Sequence, residues 1–537
     1  MKKIILSLLV IFSVSTYAEE KNGIVYVKLN GTGDGTSWTN AMGDIQSAIN
    51  TARANKAARK DVWIAAGNYS ISTAIVMSDS ISLYGSFAGT ETTIDQRAKS
   101  ASGKPWEFTN STILTANNCR LIETASNFDM ATIVDGFILT NGNGIGATLN
   151  KSGGAAVVRN NMVIQNSVIQ NSTALDGAGG GLNMTGGTVK NSWIYKNTQT
   201  TNANGGGGIY INTASGNETI IENCTIEGNS STIRGGGINV QGAGFTKMSG
   251  LKIFNNLAEG KAGGAIYQNS ATNSLINSLV YNNTGSSAIY LKGTMLNSTI
   301  VNNAGGVYLA DGSATIEISN NIIWGCATDA SGSTATALSG VANSNATVHN
   351  NATYNPIPTD KSWKTNDNIL FSSNNSNGDV ENPAEGTVGS GPKFMEVTKF
   401  KGIPLADEEI LQLDSADWKI KGISPCINVG KTLSNVTSDI RGIARPQDTA
   451  YDMGAYEYVE TDEPTGLTRN EFIYPVYSKD NQIVISGFEK PVKVSIYNVS
   501  GQSVYKSAIS SSNVSISVNQ GIYIVRVNDA ATKVLVH

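Results

Sequence analysis

The sequence predicts an all-β protein whose main body is a parallel β-helix solenoid, and two observations carry that prediction. The first is a repeat with the pattern Asn-Ser-any-aliphatic-any-any-Asn, in which one copy has Cys for Ser. Six steps separate Asn141 from Asn303, a mean of about 27 residues per step, and a period of that size is typical of repeat architectures. Clear copies begin at Asn191, Asn223, Asn277 and Asn297, and looser ones at Asp135, Asn166, Gly250 and Asn320.

The second observation is a glycine cluster that runs into an aliphatic-any-aliphatic strand in each repeat, as in Gly206–Ile211 and Gly235–Val240. Apolar residues alternate in both halves of the repeat, which is the period-2 signature of a strand with one buried face. Glycine and asparagine tolerate the positive φ that tight corners require. Stacked coils would align one aliphatic core column: Ile138, Ile169, Ile194, Ile226, Ile253, Val280, Ile300 and Ile323.

Composition narrows the class of protein. The chain has 537 residues, a net charge of −4 and only 15% charged residues, so no basic footprint indicates a nucleic-acid partner. Cys119, Cys224, Cys326 and Cys426 lie far apart without metal-ligand spacing, and we expect no metal site. A Cys326–Cys426 disulfide and isolated buried thiols are both compatible with the sequence. Isolated thiols are favoured because free cysteine is usually buried.

The chain divides into successive segments. Residues 1–18 have two lysines, an apolar run and a small-any-small site, which predicts a cleaved signal peptide; we expect no transmembrane helix. The β-helix is predicted over 19–458, with an N-terminal cap at about 22–130, regular coils at about 131–326 and decorated late coils at 327–458. Residues 459–470 form a polar linker, and 471–537 a separate domain.

Within the cap, Asp44–Ala52 has Ile45, Ala48, Ile49 and Ala52 on one face, which predicts a short amphipathic helix over the first coil. Such a helix would cover the open end of the solenoid. Residues 327–400 lose the repeat, so we expect long loops or decoration over late coils there, with His349 in a loop rich in Ser, Thr and Asn. The domain at 471–537 has short alternating strands separated by turn residues, which predicts a small Ig-like β-sandwich.

Several segments match a known family: Tyr26–Lys28, Val62–Tyr69, Leu83–Thr92, Val134–Gly142, and Asp439–Pro446 with Asp452–Tyr458. They resemble bacterial right-handed parallel β-helix proteins of the pectate-lyase-like superfamily, over about residues 22–458. The ending is similar to the subgroup that carries a C-terminal cell-surface sorting module. The Gly-Gly-Ala-Ile and Asn-Asn repeats are also similar to the polymorphic outer-membrane adhesin repeat, although Ile253–Asn256 only approximates its Phe-any-any-Asn element.

The last domain has its own likeness. Ile496-Tyr497-Asn498 with Gly501-Gln502, Gly521–Val527 and Lys533–Val536 resemble the C-terminal sorting domain of type IX secretion substrates in Bacteroidetes. Two positions depart from that pattern, since Tyr474–Tyr477 replaces Tyr-Pro-Asn-Pro and the chain ends in His537. The resemblance implies the type IX machinery as a partner, passage across both membranes, removal of this domain and attachment to the cell surface.

Enzymatic chemistry has few candidate residues. Polysaccharide lyases of this fold need a basic residue beside carboxylates that hold calcium, and hydrolases need paired carboxylates. Between Lys151 and Asn320 the nearest approach is Glu222 and Glu227 with Arg234, and solvated surface charge is the simpler interpretation. No cofactor is expected unless the protein is a lyase, in which case calcium would be.

Aromatic residues recur at outward-facing strand positions: Tyr210, Tyr267, Tyr290 and Tyr308 in one strand of the repeat, and Trp193 and Tyr281 in the other. Coils lie about 4.8 Å apart, so such rings would stack in columns. These columns could bind sugars, stabilise themselves or lie under loops.

We therefore expect a secreted or cell-surface β-helix protein that acts as a non-catalytic glycan-binding or adhesin-like scaffold. A polysaccharide lyase, or less favourably a glycoside hydrolase, is the alternative. A structural envelope protein is the third interpretation.

Overall fold

The computed structural model describes residues 23–54, 60–144, 151–200, 204–259, 261–326, 336–371, 391–396, 416–462, 474–479, 481–488, 492–499, 501–527 and 530–536. The predicted signal peptide lies outside these residues. The chain divides into two compact units, residues 1–458 and 459–537, which correspond to a β-helix unit and a C-terminal unit. In the part of the chain that is described, no helix is long and apolar enough to cross a membrane.

The β-helix unit contains three long sheets in which each strand pairs in parallel with the equivalent strand of the next coil, as predicted. The first sheet contains Ile24–Val27, Lys60–Ala65, Ile81–Phe87, Thr132–Asp135, Met162–Gln165, Gly187–Lys190, Glu218–Glu222, Phe245–Ser249, Asn273–Ile276, Thr294–Leu296, Ile316–Ser319, Ala346–His349 and Lys364–Asn366. The second contains Gly67–Ile71, Thr112–Ala116, Phe137–Thr140, Val168–Gln170, Trp193–Tyr195, Thr225–Glu227, Lys252–Phe254, Leu279–Tyr281, Thr299–Val301, Ile322–Trp324, Ala352–Thr353 and Ile369–Leu370. The third contains Ile75–Val76, Ile122–Glu123, Ala156–Val158, Leu182–Met184, Ile209–Thr213, Ile238–Gly242, Ala262–Gln268, Ser287–Leu291, Val307–Leu309 and Leu338–Gly340.

Smaller elements complete this unit. A short fourth sheet contains Thr173–Leu175, Thr198–Thr200, Ser230–Ser231 and Leu257–Ala258, and Phe394–Glu396 pairs antiparallel with Asp417–Ile420. A 3₁₀ turn spans Ile94–Gln96. The predicted N-terminal helix is present at Ile45–Ala54, and its four predicted apolar residues are buried.

The predicted core column is correct from Ile169 to Ile323, because these residues are in register along the second sheet and fully buried. Ile138 was assigned one position too early. Leu139, not Ile138, pairs with Ile169 and has no exposed surface. The one-residue error arises because this coil has no Asn-Ser motif. Gly136 occupies the corner that asparagine occupies in later coils.

Asparagines build the corners between the first and second sheets. Asn191, Asn223, Asn277, Asn297 and Asn320 all have φ between 45° and 58°, the left-handed conformation that asparagine tolerates better than other residues with a side chain. Gly250 takes the same corner with a φ of 64°. The repeat pattern therefore marks the residue that turns the chain.

A second set of asparagines points inward and forms a continuous ladder. The Asn197 amide donates to Asn229 Oδ1 at 3.0 Å, and each further step, to Asn256, Asn283 and Asn303, measures 2.9 Å. All five are buried, which confirms the corner-ladder interpretation over a ligand-facing row. Asn141 does not belong to it; it has a φ of 60° and occupies the corner instead.

The coils continue beyond Cys326 in the part of 327–400 that the structure describes. Residues 336–371 supply further strands to all three sheets, and Ser319 pairs with His349 in the first sheet. His349 therefore ends a strand and is buried, not placed in an exposed loop. These strands are short and polar, so their period-2 pattern is weak.

Residues 416–458, called here the return segment, lie along the corner asparagines of the late coils. Asn320 donates to the Lys431 carbonyl at 2.7 Å and accepts from the Lys431 amide at 2.8 Å. Asn297 donates to the Asp452 carbonyl at 3.2 Å. Asn277, Asn297 and Asn320 are buried as a result, whereas Asn223 remains exposed.

All four cysteines are free thiols. Burial raises the pKa of Cys224, Cys326 and Cys426 to about 12, so these thiols remain protonated and unreactive near neutral pH.

The C-terminal unit contains two antiparallel sheets and a 3₁₀ turn at Glu460–Asp462, and it has an apolar cluster of its own. Three strands, Val476–Lys479, Gln482–Ser486 and Asn513–Ser517, form one sheet. Four strands, Ser503–Ile509, Val492–Asn498, Gly521–Val527 and Ala530–Val536, form the other. Ile485 and Ile516 of the first sheet pack in one apolar cluster with Val494 and Val525 of the second, which makes the unit a small β-sandwich.

Candidate functional site

The outward residues of the third sheet form one column along the solenoid. Strand register aligns them in the order Asn183, Tyr210, Asn239, Tyr267, Tyr290, Tyr308 and Ser339. Three consecutive coils therefore present tyrosine at the same position. Tyr267, Tyr290 and Tyr308 are called here the tyrosine file.

The rings of the tyrosine file are stacked. The ring centroids of Tyr267 and Tyr290 lie 4.4 Å apart with planes 10° from parallel, and those of Tyr290 and Tyr308 lie 5.5 Å apart at 18°. Burial and the neighbouring Tyr267 phenol raise the pKa of Tyr290, so its hydroxyl remains a neutral donor and acceptor.

Arg234 closes one end of the tyrosine file. Its guanidinium carbon lies 4.8 Å from the centroid of Tyr267, a cation–π contact, and Nη1 donates to the Tyr267 hydroxyl at 3.4 Å. The ring of Tyr267 is buried, whereas Tyr290 and Tyr308 are partly exposed. Access to the file is therefore from the Tyr308 end.

A cavity of about 590 Å³ lies at that accessible end. Its lining includes Tyr290 and Tyr308 together with hydroxyl side chains of Ser286, Thr336 and Ser339. Ser339 occupies the next position of the column, where its small side chain leaves room beyond the Tyr308 ring. None of the described residues that line the cavity is charged.

Close passage of the chain around this cavity depends on glycine. Gly305 has a φ of 82°, and a Cβ added at Gly306 would lie 2.2 Å from the Thr336 carbonyl oxygen. Any larger residue at Gly306 would displace the coil that carries Thr336 and Ser339. The glycine cluster seen in the sequence thus shapes the wall of the cavity.

A second cavity of about 420 Å³ lies beside the first turn of the N-terminal helix. Ser70, Ser72 and Ile75 contribute to its wall. Its one aromatic residue, Tyr69, is buried and donates its hydroxyl to the Ala65 carbonyl at 3.0 Å. This cavity therefore lacks an accessible ring face.

On the second sheet, the early aromatic residues remain partly exposed. The rings of Trp193 and Tyr195 stack with centroids 4.4 Å apart, and Trp106 packs 6.3 Å from Trp193. Trp193 Nε1 donates to Glu227 Oε2 at 2.9 Å, which holds that carboxylate on the second sheet. Trp193 thus lies on a different face from the tyrosine file.

The later aromatic residues of the second sheet are covered, including the predicted ligand residue Tyr281. Phe254 and Tyr281 stack 4.8 Å apart, and Trp418 of the return segment packs 5.7 Å from Tyr281. Phe371 lies in the same way against Trp324, 5.0 Å away. Tyr281 is 5% exposed and offers no ligand surface, which corrects the expectation that it faces solvent.

The three weak catalytic candidates lie on different parts of the solenoid. Glu222 is an exposed residue of the first sheet, and Glu227 belongs to the second sheet beneath Trp193. Arg234 lies in the corner before the third sheet, against Tyr267. The structure does not bring the three together into one site. Within the described ranges, no group of three or more His, Cys, Asp or Glu side chains is placed to hold a metal ion.

Sequence reasoning missed a polar cluster that joins the first sheet to the return segment. Glu317 Oε1 accepts from Lys431 Nζ at 3.1 Å and lies 3.0 Å from His349 Nε2. Ser319 Oγ lies 2.9 Å from the same His349 nitrogen, and Asn350 Oδ1 lies 3.0 Å from His349 Nδ1. No local pattern could indicate this cluster, because Lys431 is 114 residues from Glu317.

The connectivity of this cluster resembles a nucleophile–histidine–amide triad, but its burial argues against that role. Asn350 donates its amide to the Val429 carbonyl at 2.8 Å, so its Oδ1 is the atom that faces His349 Nδ1, at 3.0 Å. Ser319 has no exposed surface and cannot meet a substrate. The cluster therefore acts as a latch between the return segment and the late coils.

Comparison with family models supports the β-helix over part of the chain. A family model described as a right handed beta helix region matches residues 168–353, and the model of DUF6383, a domain of unknown function, matches 470–536. A search of curated proteins finds no match to this chain. Two solved structures are similar. One is DFA-IIIase from Arthrobacter chlorophenolicus A6 in complex with GF2, with 12% identity, a TM-score of 0.32 and coverage of 66% of this chain and 95% of that one. The other is a mutant of the PL6 family alginate lyase AlyGC, with 14% identity, a TM-score of 0.31 and coverage of 75% of this chain and 60% of that one.

Proposed function

We propose that the β-helix unit binds a neutral carbohydrate chain by stacking a sugar ring on the open face of Tyr308. The observation that carries this proposal is that the tyrosine file stops at Ser339, where a cavity of about 590 Å³ takes the place of the next ring. A sugar ring bound there would continue the column that Tyr267 and Tyr290 begin.

The chemistry of the cavity favours an uncharged sugar. Aromatic faces combine apolar contact area with a specific geometry, and small polar groups fix the orientation of a ligand. Ser286, Thr336 and Ser339 can exchange hydrogen bonds with sugar hydroxyls, as can the neutral phenol of Tyr290. A uronate bound there would bury its carboxylate, and none of the described lining residues supplies a cation to pair with it. Burial of an unpaired charge is unfavourable.

We propose that this site binds without catalysis, as a scaffold for a glycan or a cell-surface partner. The supporting observations are that the described residues lining the cavity are uncharged and that Glu222, Glu227 and Arg234 lie on different parts of the solenoid. Acid–base chemistry on a glycosidic bond needs an ionisable group within hydrogen-bonding reach of the reacting atoms.

Location follows from the sequence resemblances. We propose that the protein is exported through the signal peptide at 1–18 and displayed at the cell surface by the type IX secretion machinery. Protease treatment of intact cells tests this: degradation of the protein supports surface display, and protection contradicts it.

The binding proposal is tested by screening the protein on a glycan array and then titrating the best neutral oligosaccharide by calorimetry. Tyr308→Ala should weaken binding by roughly five- to thirtyfold, because a stacked aromatic contributes about 1–2 kcal/mol. Tyr195→Ala is the matched control, since Tyr195 is a partly exposed tyrosine of the second sheet, and should bind like the wild type.

Two results would contradict the proposal. Undiminished binding by Tyr308→Ala with loss in Trp193→Ala would move the site to the second sheet. An unsaturated product released from any uronate polymer, detected by ultraviolet absorbance, would replace the scaffold with a lyase.

A further inference from the structure

The C-terminal sandwich has two outer faces of different character. The outward residues of its three-stranded sheet are mostly uncharged and polar, including Asn513, Ser515 and Ser517, although Tyr477 and Lys479 are exposed on its edge strand. The outward residues of the four-stranded sheet instead combine aliphatic side chains with cations. The difference is specific to one face of one domain, so it does not reflect overall composition.

Four exposed aliphatic residues lie on the outer face of the four-stranded sheet. Val504 is 44% exposed, Ile522 38%, Ile524 39% and Leu535 49%. Ile522 and Leu535 are directly paired across neighbouring strands. Tyr523 and Val534, the neighbours of Ile522, Ile524 and Leu535, are buried in the sandwich core, and Tyr505 beside Val504 packs against that core, so strand alternation places these four on the outside.

Cations share this face. Lys533 is exposed and pairs with Ile524 across the strands, and Lys506 is exposed on the opposite edge strand of the sheet. Lys493 and Arg526 alternate with buried residues in the same way and also point outward. None of the four strand sequences contains Asp or Glu.

From this arrangement we infer that the outer face of the four-stranded sheet docks onto a lipid bilayer that carries anionic headgroups. Elements that bind at a membrane interface combine apolar side chains, which enter the headgroup layer, with Lys or Arg that attract anionic lipids. Four strands whose sequences lack carboxylates complement a negative surface. Ile522, Ile524 and Leu535 extend from an open sheet, not from a groove, which favours a flat bilayer over the pocket that an acidic peptide would need.

The test is cosedimentation of residues 19–537, which lack the apolar run of the predicted signal peptide, with lipid vesicles. The protein should sediment with phosphatidylcholine vesicles that contain phosphatidylglycerol, should remain in solution with phosphatidylcholine alone, and should dissociate as salt is raised. The double variant K506E/K533E should reduce partitioning on the order of tenfold or more. I522S/I524S should also weaken binding while the salt dependence persists.

A matched control is K252E/K364E, which makes the same charge change at exposed positions of the β-helix unit and should bind like the wild type. Equal losses in the control would mean that net charge, not this face, determines binding, and would overturn the inference. Absence of binding to anionic vesicles would overturn the inference as well. This holds even if the protein binds an acidic polypeptide through the same face.

Discussion

Two aromatic columns of the same solenoid differ in their accessibility to solvent. On the third sheet, Tyr290 and Tyr308 stack outward and remain accessible beside a cavity. On the second sheet, Phe254 and Tyr281 stack at a similar spacing, but Trp418 covers them. Both columns occupy outward positions of a period-2 pattern, so the pattern alone assigns them the same environment.

The difference shows that the accessibility of a solenoid face is decided by chain segments that lie elsewhere. The return segment covers the late corners and packs on Tyr281 of the second sheet, whereas Tyr290 and Tyr308 of the tyrosine file remain partly exposed. An outward aromatic residue is core where a later segment packs on it, and is a ligand surface where none does. Function in this protein is therefore inferred from what covers a column, in addition to what composes it.

The largest expected effect on stability comes from removing Trp418, the side chain that covers the aromatic column of the second sheet. Trp418→Ala should lower the free energy of unfolding by about 3–5 kcal/mol, because it removes a buried indole that packs on Tyr281 and Phe394. Tyr308→Ala, at the accessible column, should cost about 1 kcal/mol or less. Denaturant unfolding of both variants measures the contrast, and equal losses would remove the distinction between the columns.

The buried asparagine ladder provides a second test of stability. The Asn256 amide donates to the Ile226 carbonyl and to Asn283 Oδ1, and its oxygen accepts from Asn229. Asn256→Ala should cost about 2–4 kcal/mol, since buried partners lose their hydrogen bonds. Asn223→Gly is the control at an exposed corner with a φ of 52°, and thermal unfolding should show little change for it. A ladder variant as stable as this control would refute the role of the ladder.

A smaller effect is expected at the latch that holds the return segment in place. Burial opposes ionisation of Glu317, but hydrogen bonds from Lys431 and Ser319 outweigh it and keep the pKa of Glu317 below its usual value. A lowered pKa in the folded state stabilises the protein above the unfolded pKa, about 4.3, and this stabilisation is lost as pH falls through the lower folded pKa.

Glu317→Gln should therefore remove about 0.5–1 kcal/mol at neutral pH, a small value because both Glu317 and Lys431 are partly exposed. The deficit relative to the wild type should shrink as the solution is acidified below the unfolded pKa. Unfolding measured across that pH range checks the sign. A deficit that grows toward acid pH would be inconsistent with a stabilising carboxylate.

Much of this fold was predictable because its rules are local. The repeated Asn-Ser motif marks corners and the ladder, and Ile194, Ile226 and Ile253 mark the core, since each coil repeats the same short-range requirements. The one-residue error at Ile138 arose where Gly136 takes the place of the corner asparagine.

The candidate site was predictable only in part. The tyrosine column could be read from the repeat, because strand register follows from coil alignment. The burial of Tyr281, the position of His349 and the cavity beyond Tyr308 could not, because they depend on Trp418, Lys431 and Ser339, which no local periodicity relates to them.

The contrast between the two columns is measured most directly by hydroxyl-radical footprinting of the tyrosines, with and without a saturating neutral oligosaccharide identified on the glycan array. We expect Tyr308 and Tyr290 to be modified in the unliganded protein and protected by the sugar, while Tyr281 remains unmodified in both states. Modification of Tyr281 at the rate of Tyr308, or no protection of Tyr308 by the bound sugar, would contradict the assignment of one column to ligand binding and the other to the core.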